Sequence, residues 1–279
     1  MINDNTVVVN GLETRYLSGG PDDAPVVVFL HDGAWGASSD VTWGEVAALA
    51  ATDYRVVAPD LLGFGGSAKS VRLDQSPFAF RTTHLFALLD HLGITGPVHL
   101  VGNSFGGSIA LRALTDPVLA ERISSVTAIS GTGGPWRTKE SAQLGAFDGT
   151  EADLQRIVEL LCDPYPGLQA QVAARYRWAS MPGNYAATVA PHAAVPEPLR
   201  VERPADPYPA NLAAATAPVL LFECTGDPLV EAGWTKHLQD ILQDVTVAEV
   251  PYRHAPNITH PHETWEIIAA FLKDTDAAE

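Results

Sequence analysis

Residues 98–111 read Val98-His99-Leu100-Val101-Gly102-Asn103-Ser104-Phe105-Gly106-Gly107-Ser108-Ile109-Ala110-Leu111, and the fold is decided around the serine. VHLV has the apolar, β-branched character of a buried strand, and SIALRAL, continuing to Leu114, has that of a helix. Between them lies G-x-S-x-G. A serine between strand and helix in so tight a turn needs small neighbours, and it stands with its hydroxyl above the sheet. The bare pattern is common by chance; the strand before it and the helix after it make it specific. Ser104 is therefore the candidate nucleophile.

Working outward, the same alternation repeats. VVVFL (26–30), YRVVAPD (54–60), SSVTAIS (124–130), APVLLFECTGD (217–227) and TVAEVP (246–251) read as strands. WGEVAALAATD (43–53), FRTTHLFALLDHLG (80–93), VEAGWTKHLQDILQD (230–244) and HETWEIIAAFLKD (262–274) read as helices. Asn10-Gly11 between two extended segments predicts a hairpin at the start of the chain. Strands alternating with helices imply right-handed crossovers and a mostly parallel sheet covered on both faces, an α/β fold. The rhythm breaks between Gly131 and Leu212, where EADLQRIVELLCDP and PGLQAQVAARYRWAS are helical and Pro182 to Pro209 holds seven prolines. The expected organisation is a core of residues 1–130 and 213–279 with residues 131–212 inserted as a helical cap.

Composition narrows the function classes. The chain has 279 residues, 46% hydrophobic and 18% charged, enough apolar material for a large core. Its 17 basic and 33 acidic residues give a net charge of −16, which disfavours phosphate backbones and anionic lipid surfaces as partners. No apolar run approaches the roughly 20 residues of a membrane span, and MINDNTVVVN has no export signal, so a cytoplasmic location is expected. Cys162 and Cys224 offer neither a disulfide framework nor a metal site.

Taken together, these stretches resemble the α/β-hydrolase superfamily over nearly the whole chain. In that family the chain order is serine, acid, histidine. Asp227 in TGDPLV resembles the family's acid loop, and His254 in VPYRHAPNITHP resembles its histidine loop, with His260 and His262 as rivals better suited to capping or surface roles. All three candidates fall at carboxyl ends of strands, where open α/β sheets place their sites. The chemistry needs this set because a serine hydroxyl is a weak nucleophile until an imidazole takes its proton, and the imidazole needs a carboxylate to fix its tautomer. The resemblance implies an oxyanion hole from the Phe105 N–H and from the loop His31-Asp32-Gly33-Ala34-Trp35-Gly36, with Gly33 the positional match. Asp32 replaces a common glycine and Trp35 a common proline there, and His31 reads as a structural ring fixing the loop. Ala58 to Ser67 is similar to the family's D-x-x-G-x-G-x-S stretch, with Asp60 architectural.

Serine at position 104 argues against the carboxylate nucleophile of dehalogenases and epoxide hydrolases. Asn103, the run Gly131-Thr132-Gly133-Gly134-Pro135, Asp163-Pro164 and Ala174-Arg175-Tyr176 resemble the hydrolases of meta-cleavage products, which break a carbon–carbon bond in 2-hydroxy-6-oxo-dienoates. That resemblance implies that Asn103 and Arg175, with Arg177 as competitor, bind the substrate, Arg175 gripping its carboxylate. Ala255 stands where that subgroup commonly has tryptophan, which suggests extra room beside the base. A carboxylic ester or lactone hydrolase is the alternative, and a non-catalytic small-molecule receptor the alternative of another class. The expected partner is a small-molecule substrate; no metal or organic cofactor is required, and the oligomeric state, homo-oligomer included, is left open.

Overall fold

The computed structural model describes residues 1–192, 196–200 and 205–277, so residues 193–195 and 201–204 of the proline-rich stretch lie outside the described residues. The chain opens with β1 (Asn3–Val9) and β2 (Leu12–Gly19), paired antiparallel through Asn10 (φ 51°) and Gly11 (φ 80°). Positive φ at both turn positions matches the twist of the strands, which is why Asn-Gly predicts the hairpin. There follow β3 (Val26–Leu30), α1 (Ser39–Ala50), β4 (Arg55–Pro59), α2 (Ala79–His91), β5 (Val98–Asn103), α3 (Phe105–Ala113), α4 (Pro117–Ala120) and β6 (Ile123–Ile129). Next come α5 (Glu151–Leu161), α6 (Leu168–Ala179) and α7 (Asn184–Val189), then β7 (Val219–Cys224), α8 (Trp234–Gln239), β8 (Val245–Val250), α9 (Pro256–Thr259) and α10 (Pro261–Asp276).

The eight strands form one sheet in the order β1-β2-β4-β3-β5-β6-β7-β8, parallel from β4 through β8. Every residue of β5 and β7 is buried, as strands covered on both faces must be. One apolar cluster joins Val28, Leu100 and Val126 to Leu85 and Leu89 of α2 and Ile109 of α3. A second, on the opposite face, joins Phe29, Val101 and Phe222 to Trp43 of α1 and Ile268 of α10. The chain leaves β3 toward β4 on one side and later enters β5 on the other, so the order reverses at β3 and β5. A crevice at the carboxyl ends of strands flanking such a reversal is where open α/β sheets bind ligands.

The helix expected over 230–244 is shorter in the structure. Glu231 N–H donates to the Trp136 carbonyl and Val230 pairs with Arg137, which fixes these residues in an extended contact, and Gly233 at φ 78° starts the helix only at Trp234. Tertiary pairing here overrides the local helical pattern.

Candidate active site

Ser104 sits between the end of β5 and the start of α3 at φ 55°, ψ −112°. This is a left-handed backbone at a residue with a side chain, held by the Ser104 N–H bond to the Ile129 carbonyl (2.7 Å) and the Ser108 N–H bond to the Ser104 carbonyl (2.9 Å). The flanking glycines are required by space: a Cβ on Gly102 would lie 2.3 Å from the Gly106 carbonyl carbon, and one on Gly106 would lie 2.1 Å from the Leu30 carbonyl oxygen. The turn thus presses against the end of β3, whose loop carries Gly33. A Cβ on Gly33 would stand 2.9 Å from the Phe105 Cβ, so the loop that carries one expected oxyanion donor packs closely on the side chain of the residue that carries the other. Neither the Phe105 nor the Gly33 N–H makes a hydrogen bond among the described residues.

The loops after β7 and β8 meet. His254 Nδ1 is 2.6 Å from Asp227 Oδ2, with both side chains almost wholly buried, at 3% and 4% exposure. Asp227 also accepts the Leu229 N–H at 2.8 Å. Burial alone raises a carboxyl pKa, but His254 and these hydrogen bonds outweigh it and hold Asp227 below the usual carboxylate range. An ionised Asp227 fixes the proton on Nδ1 and leaves Nε2 as the acceptor, and Nε2 is buried without a hydrogen-bond partner. The Ser104–His254 hydrogen bond is therefore not closed in this structure; catalytic hydrogen bonds of this kind often tighten only when substrate is bound.

The loop after β3 is ordered by buried polar contacts. Leu61 N–H donates to His31 Nε2 (2.9 Å), so Nδ1 carries the proton and donates to the Asp32 carbonyl (2.6 Å). Burial pushes the His31 imidazole below its ordinary pKa, and the ring is a neutral brace. Asp32 Oδ1 accepts the Ala34 N–H (2.9 Å), closing a short turn around Gly33, and Oδ2 accepts the Thr42 hydroxyl (2.7 Å). Asp60 likewise knits the framework, accepting from Ser39 N–H (2.7 Å), Gly66 N–H (2.8 Å) and Arg15 (2.9 Å).

A family model described as "Alpha/beta hydrolase family" matches residues 27–267. The chain belongs to the α/β-hydrolase family. Among curated relatives, the chain is 26% identical over 270 residues to the 2-hydroxy-6-oxo-6-(2'-aminophenyl)hexa-2,4-dienoic acid hydrolase of Metapseudomonas resinovorans, covering 95% of this chain and 89% of that one. Among solved structures, the 2-hydroxy-6-oxo-6-phenylhexa-2,4-dienoate hydrolase of Rhodococcus sp. strain RHA1 aligns with TM-score 0.83 and 25% identity over 99% of both chains. A serine hydrolase involved in carbazole degradation aligns with TM-score 0.81 and 25% identity over 98% of this chain and 99% of that one.

Within this α/β-hydrolase, the two residues expected to bind substrate also hold contacts inside the protein. Asn103, fully buried, donates through Nδ2 to the His254 carbonyl (2.9 Å) and to the Ile129 carbonyl (3.3 Å), tying the strand before the nucleophile to the histidine loop. Arg175 on α6 is also fully buried. Its Nη2 and Nη1 lie 2.7 and 3.1 Å from the two oxygens of Asp32, and Nη1 reaches the Trp35 carbonyl at 3.4 Å. The charge expected to meet a substrate carboxylate is matched by the aspartate that stands in place of the usual glycine. Burial works against both charges, yet their mutual attraction keeps Asp32 well below the usual range and Arg175 above its own. Arg177, the competitor, is exposed and 3.2 Å from Asp40.

The room expected beside His254 is filled. Ala255 is buried among Trp35, Leu154, Ile157 and Leu161, and its N–H donates to the Leu161 carbonyl at 2.9 Å. The rival histidines stand apart: His260 stacks on Tyr252 with ring centroids 3.7 Å apart, and His262 is exposed, 3.4 Å from Glu45. Trp35 reaches from its loop to Phe147 and Tyr185 of the inserted helical region, at 4.7 and 5.4 Å between ring centroids. Among the described residues no group of three or more His, Cys, Asp or Glu is placed to hold a metal, and no helix is long and apolar enough to cross a membrane.

Proposed function

We propose that this α/β-hydrolase cleaves a carbonyl compound by a Ser104–His254–Asp227 triad, and that its substrate is a 2-hydroxy-6-oxo-dienoate of the meta-cleavage type. The observation that carries the triad is the buried His254–Asp227 contact at 2.6 Å, with Nε2 left as a free acceptor, on a loop that Asn103, the residue before the strained Ser104 turn, ties down through the His254 carbonyl. The substrate class is supported by full-length likeness to dienoate hydrolases.

In this reading His254 Nε2 takes the Ser104 proton as Oγ attacks the ketone carbon, and the oxyanion forms against the Phe105 and Gly33 N–H groups. Such donors typically contribute about 3–4 kcal/mol each because they are oriented before charge develops. Cleavage requires the 2-keto tautomer, in which the enol proton has moved to C5; the C5–C6 bond then breaks with its electron pair delocalised through the chain to the C2 oxygen, and the resulting dienolate takes a proton and departs as the 2-hydroxydienoate. Water, deprotonated by His254, attacks the acyl-serine and releases the carboxylic acid. Water is consumed and no redox partner is needed.

Ester or lactone hydrolysis is the second reading, favoured by the Asp32–Arg175 pairing, which removes Arg175 as a receiver for a substrate carboxylate. A fluorophosphonate probe and a coloured dienoate decide between these. Labelling lost in Ser104→Ala, together with bleaching of the dienoate, is the expected result. Ester turnover without bleaching would select the second reading, and ligand binding without turnover of either would select a receptor.

A further inference from the structure

Arg81, at the start of α2, is 5% exposed, and no carboxylate lies within ion-pair distance of it among the described residues. Its Nε donates to the Leu62 carbonyl (2.8 Å) and its Nη1 to the Pro77 carbonyl (2.9 Å), while Nη2 has no hydrogen-bond partner among the described residues. The guanidinium is boxed by aromatic rings, with its carbon 5.2 Å from the centroid of Phe105, 5.3 Å from Phe80 and 5.4 Å from Phe64. Phe105 is the neighbour of Ser104, and Phe64 packs edge-on against His31 at 5.3 Å. A Cβ built on Gly63 would lie 3.1 Å from Nη2 and 3.9 Å from the Cβ of Ala187 on α7, so the free end of the guanidinium lies beside Gly63 and near α7.

Other buried arginines of this chain are matched by aspartates: Arg15 by Asp60 and Arg175 by Asp32. Arg81 has two carbonyl dipoles and three aromatic faces, which steady a cation but do not neutralise it. Burial with no opposing anion pulls it down to about 10. A desolvated cation is costly unless an anion meets it. In a protein carrying a net charge of −16, it is also a local attraction for an anionic ligand that the overall field repels.

We propose that Arg81 is the residue that receives the carboxylate of the substrate. The inference rests on the reading of this site as a serine hydrolase acting on a carboxylate-bearing carbonyl compound. The Arg81 guanidinium lies against the ring of Phe105, the residue that follows Ser104 and is the expected oxyanion donor, so a ligand reaching Ser104 has this cation as a neighbour of its binding site. The charge-assisted, planar contact that Arg175 gives to Asp32 is what Arg81 has left to give to a ligand.

The test is a pair of aryl esters of equal chain length: the mono-4-nitrophenyl ester of adipic acid, which ends in a carboxylate, and 4-nitrophenyl hexanoate, which does not. In Arg81→Gln the acid ester is expected to lose kcat/KM by on the order of 10- to 100-fold, chiefly through KM, as suits loss of a hydrogen bond to a charged group. The hexanoate is expected to stay within about threefold, because its acyl chain makes no demand on the cation. Arg81→Lys keeps the charge and most of the packing and is expected to recover part of the preference. Should Arg81→Gln fail to fold, Arg81→Lys is read alone: a fall in kcat/KM on the acid ester with the hexanoate within about threefold supports the proposal, and equal effects on both esters overturn it. Equal losses on both esters, or no change on either, overturn the proposal and leave Arg81 a structural brace. The dienoate assay separates this from the reaction type. Dienoate bleaching with KM unchanged in the Arg81 variant sinks the proposal alone. An Arg81-dependent preference for the acid ester without bleaching sinks the carbon–carbon reading alone.

Discussion

Replacing Arg175 by methionine is the sharpest perturbation of this structure, because it removes one half of a fully buried ion pair and leaves the other half in place. Asp32 and Arg175 are 1% and 0% exposed and meet at 2.7 Å. Unit charges about 4 Å apart attract by about 4 kcal/mol at an effective dielectric near 20. In Arg175→Met, Asp32 keeps the Ala34 N–H and the Thr42 hydroxyl but not its counter-charge. Breaking such a pair typically costs about 3–5 kcal/mol, against a total stability of about 5–15 kcal/mol. Urea denaturation followed by tryptophan fluorescence reads this, the chain's six tryptophans reporting its global unfolding. The thermal midpoint is expected to fall by roughly 6–20 °C. The sign of the pH dependence is a second check. In the native protein Asp32 is held below its unfolded pKa, so its contribution is present above about pH 4 and is lost as the pH falls from there. In Arg175→Met burial acts without the arginine and pushes Asp32 above its unfolded value. The variant's deficit is then largest near pH 8 and shrinks toward pH 5. The double change Asp32→Asn with Arg175→Met removes the orphaned charge and should recover much of the loss. A deficit below about 1 kcal/mol that is flat between pH 5 and 8 would refute the reasoning.

Asn103→Ala deletes the bond to the His254 carbonyl, so kcat should fall by on the order of tenfold, with stability lowered by about 1–3 kcal/mol and ester KM little changed. Steady-state kinetics and denaturation on one preparation check both parts. Gly36→Ala should be poorly tolerated, because a Cβ there would lie 2.0 Å from the Arg175 carbonyl oxygen; a melting point within about 2 °C of the parent would contradict that contact. His262→Ala, at a residue exposed on α10, should leave kcat/KM within about twofold, whereas His254→Ala should lower kcat by at least about 1,000-fold.

The candidate site was legible where its physics is local. Gly102-x-Ser104-x-Gly106 is readable because steric contact within a few residues demands it. Asn10-Gly11 and the alternation of strand and helix are readable for the same reason. The order Ser104, Asp227, His254 could be matched to a family pattern, and the sheet brings the last two together at the carboxyl ends of β7 and β8. Asp32, by contrast, read as a departure from a glycine-rich loop. Its meaning depends on Arg175, 143 positions away, and neither residue's neighbours in the chain announce the other. The role of Asn103 depends on a carbonyl 151 positions away. Nothing in FRTTHLF marks Arg81 out, since the local sequence does not tell whether an anion will face it.

Hydrophobic periodicity and steric limits at one turn make the α/β architecture and the tight turn at Ser104 readable from the chain alone, whereas Asp227 and His254 as candidate acid and base come from the resemblance to the α/β-hydrolase family. Where the buried positive charges go is settled by packing. Pairing of buried ions is set by which side chains share a low-dielectric space, and that is a property of the packed chain. Arg175 is consumed by Asp32, while Arg81 is left beside Phe105 with a free donor and no anion among the described residues.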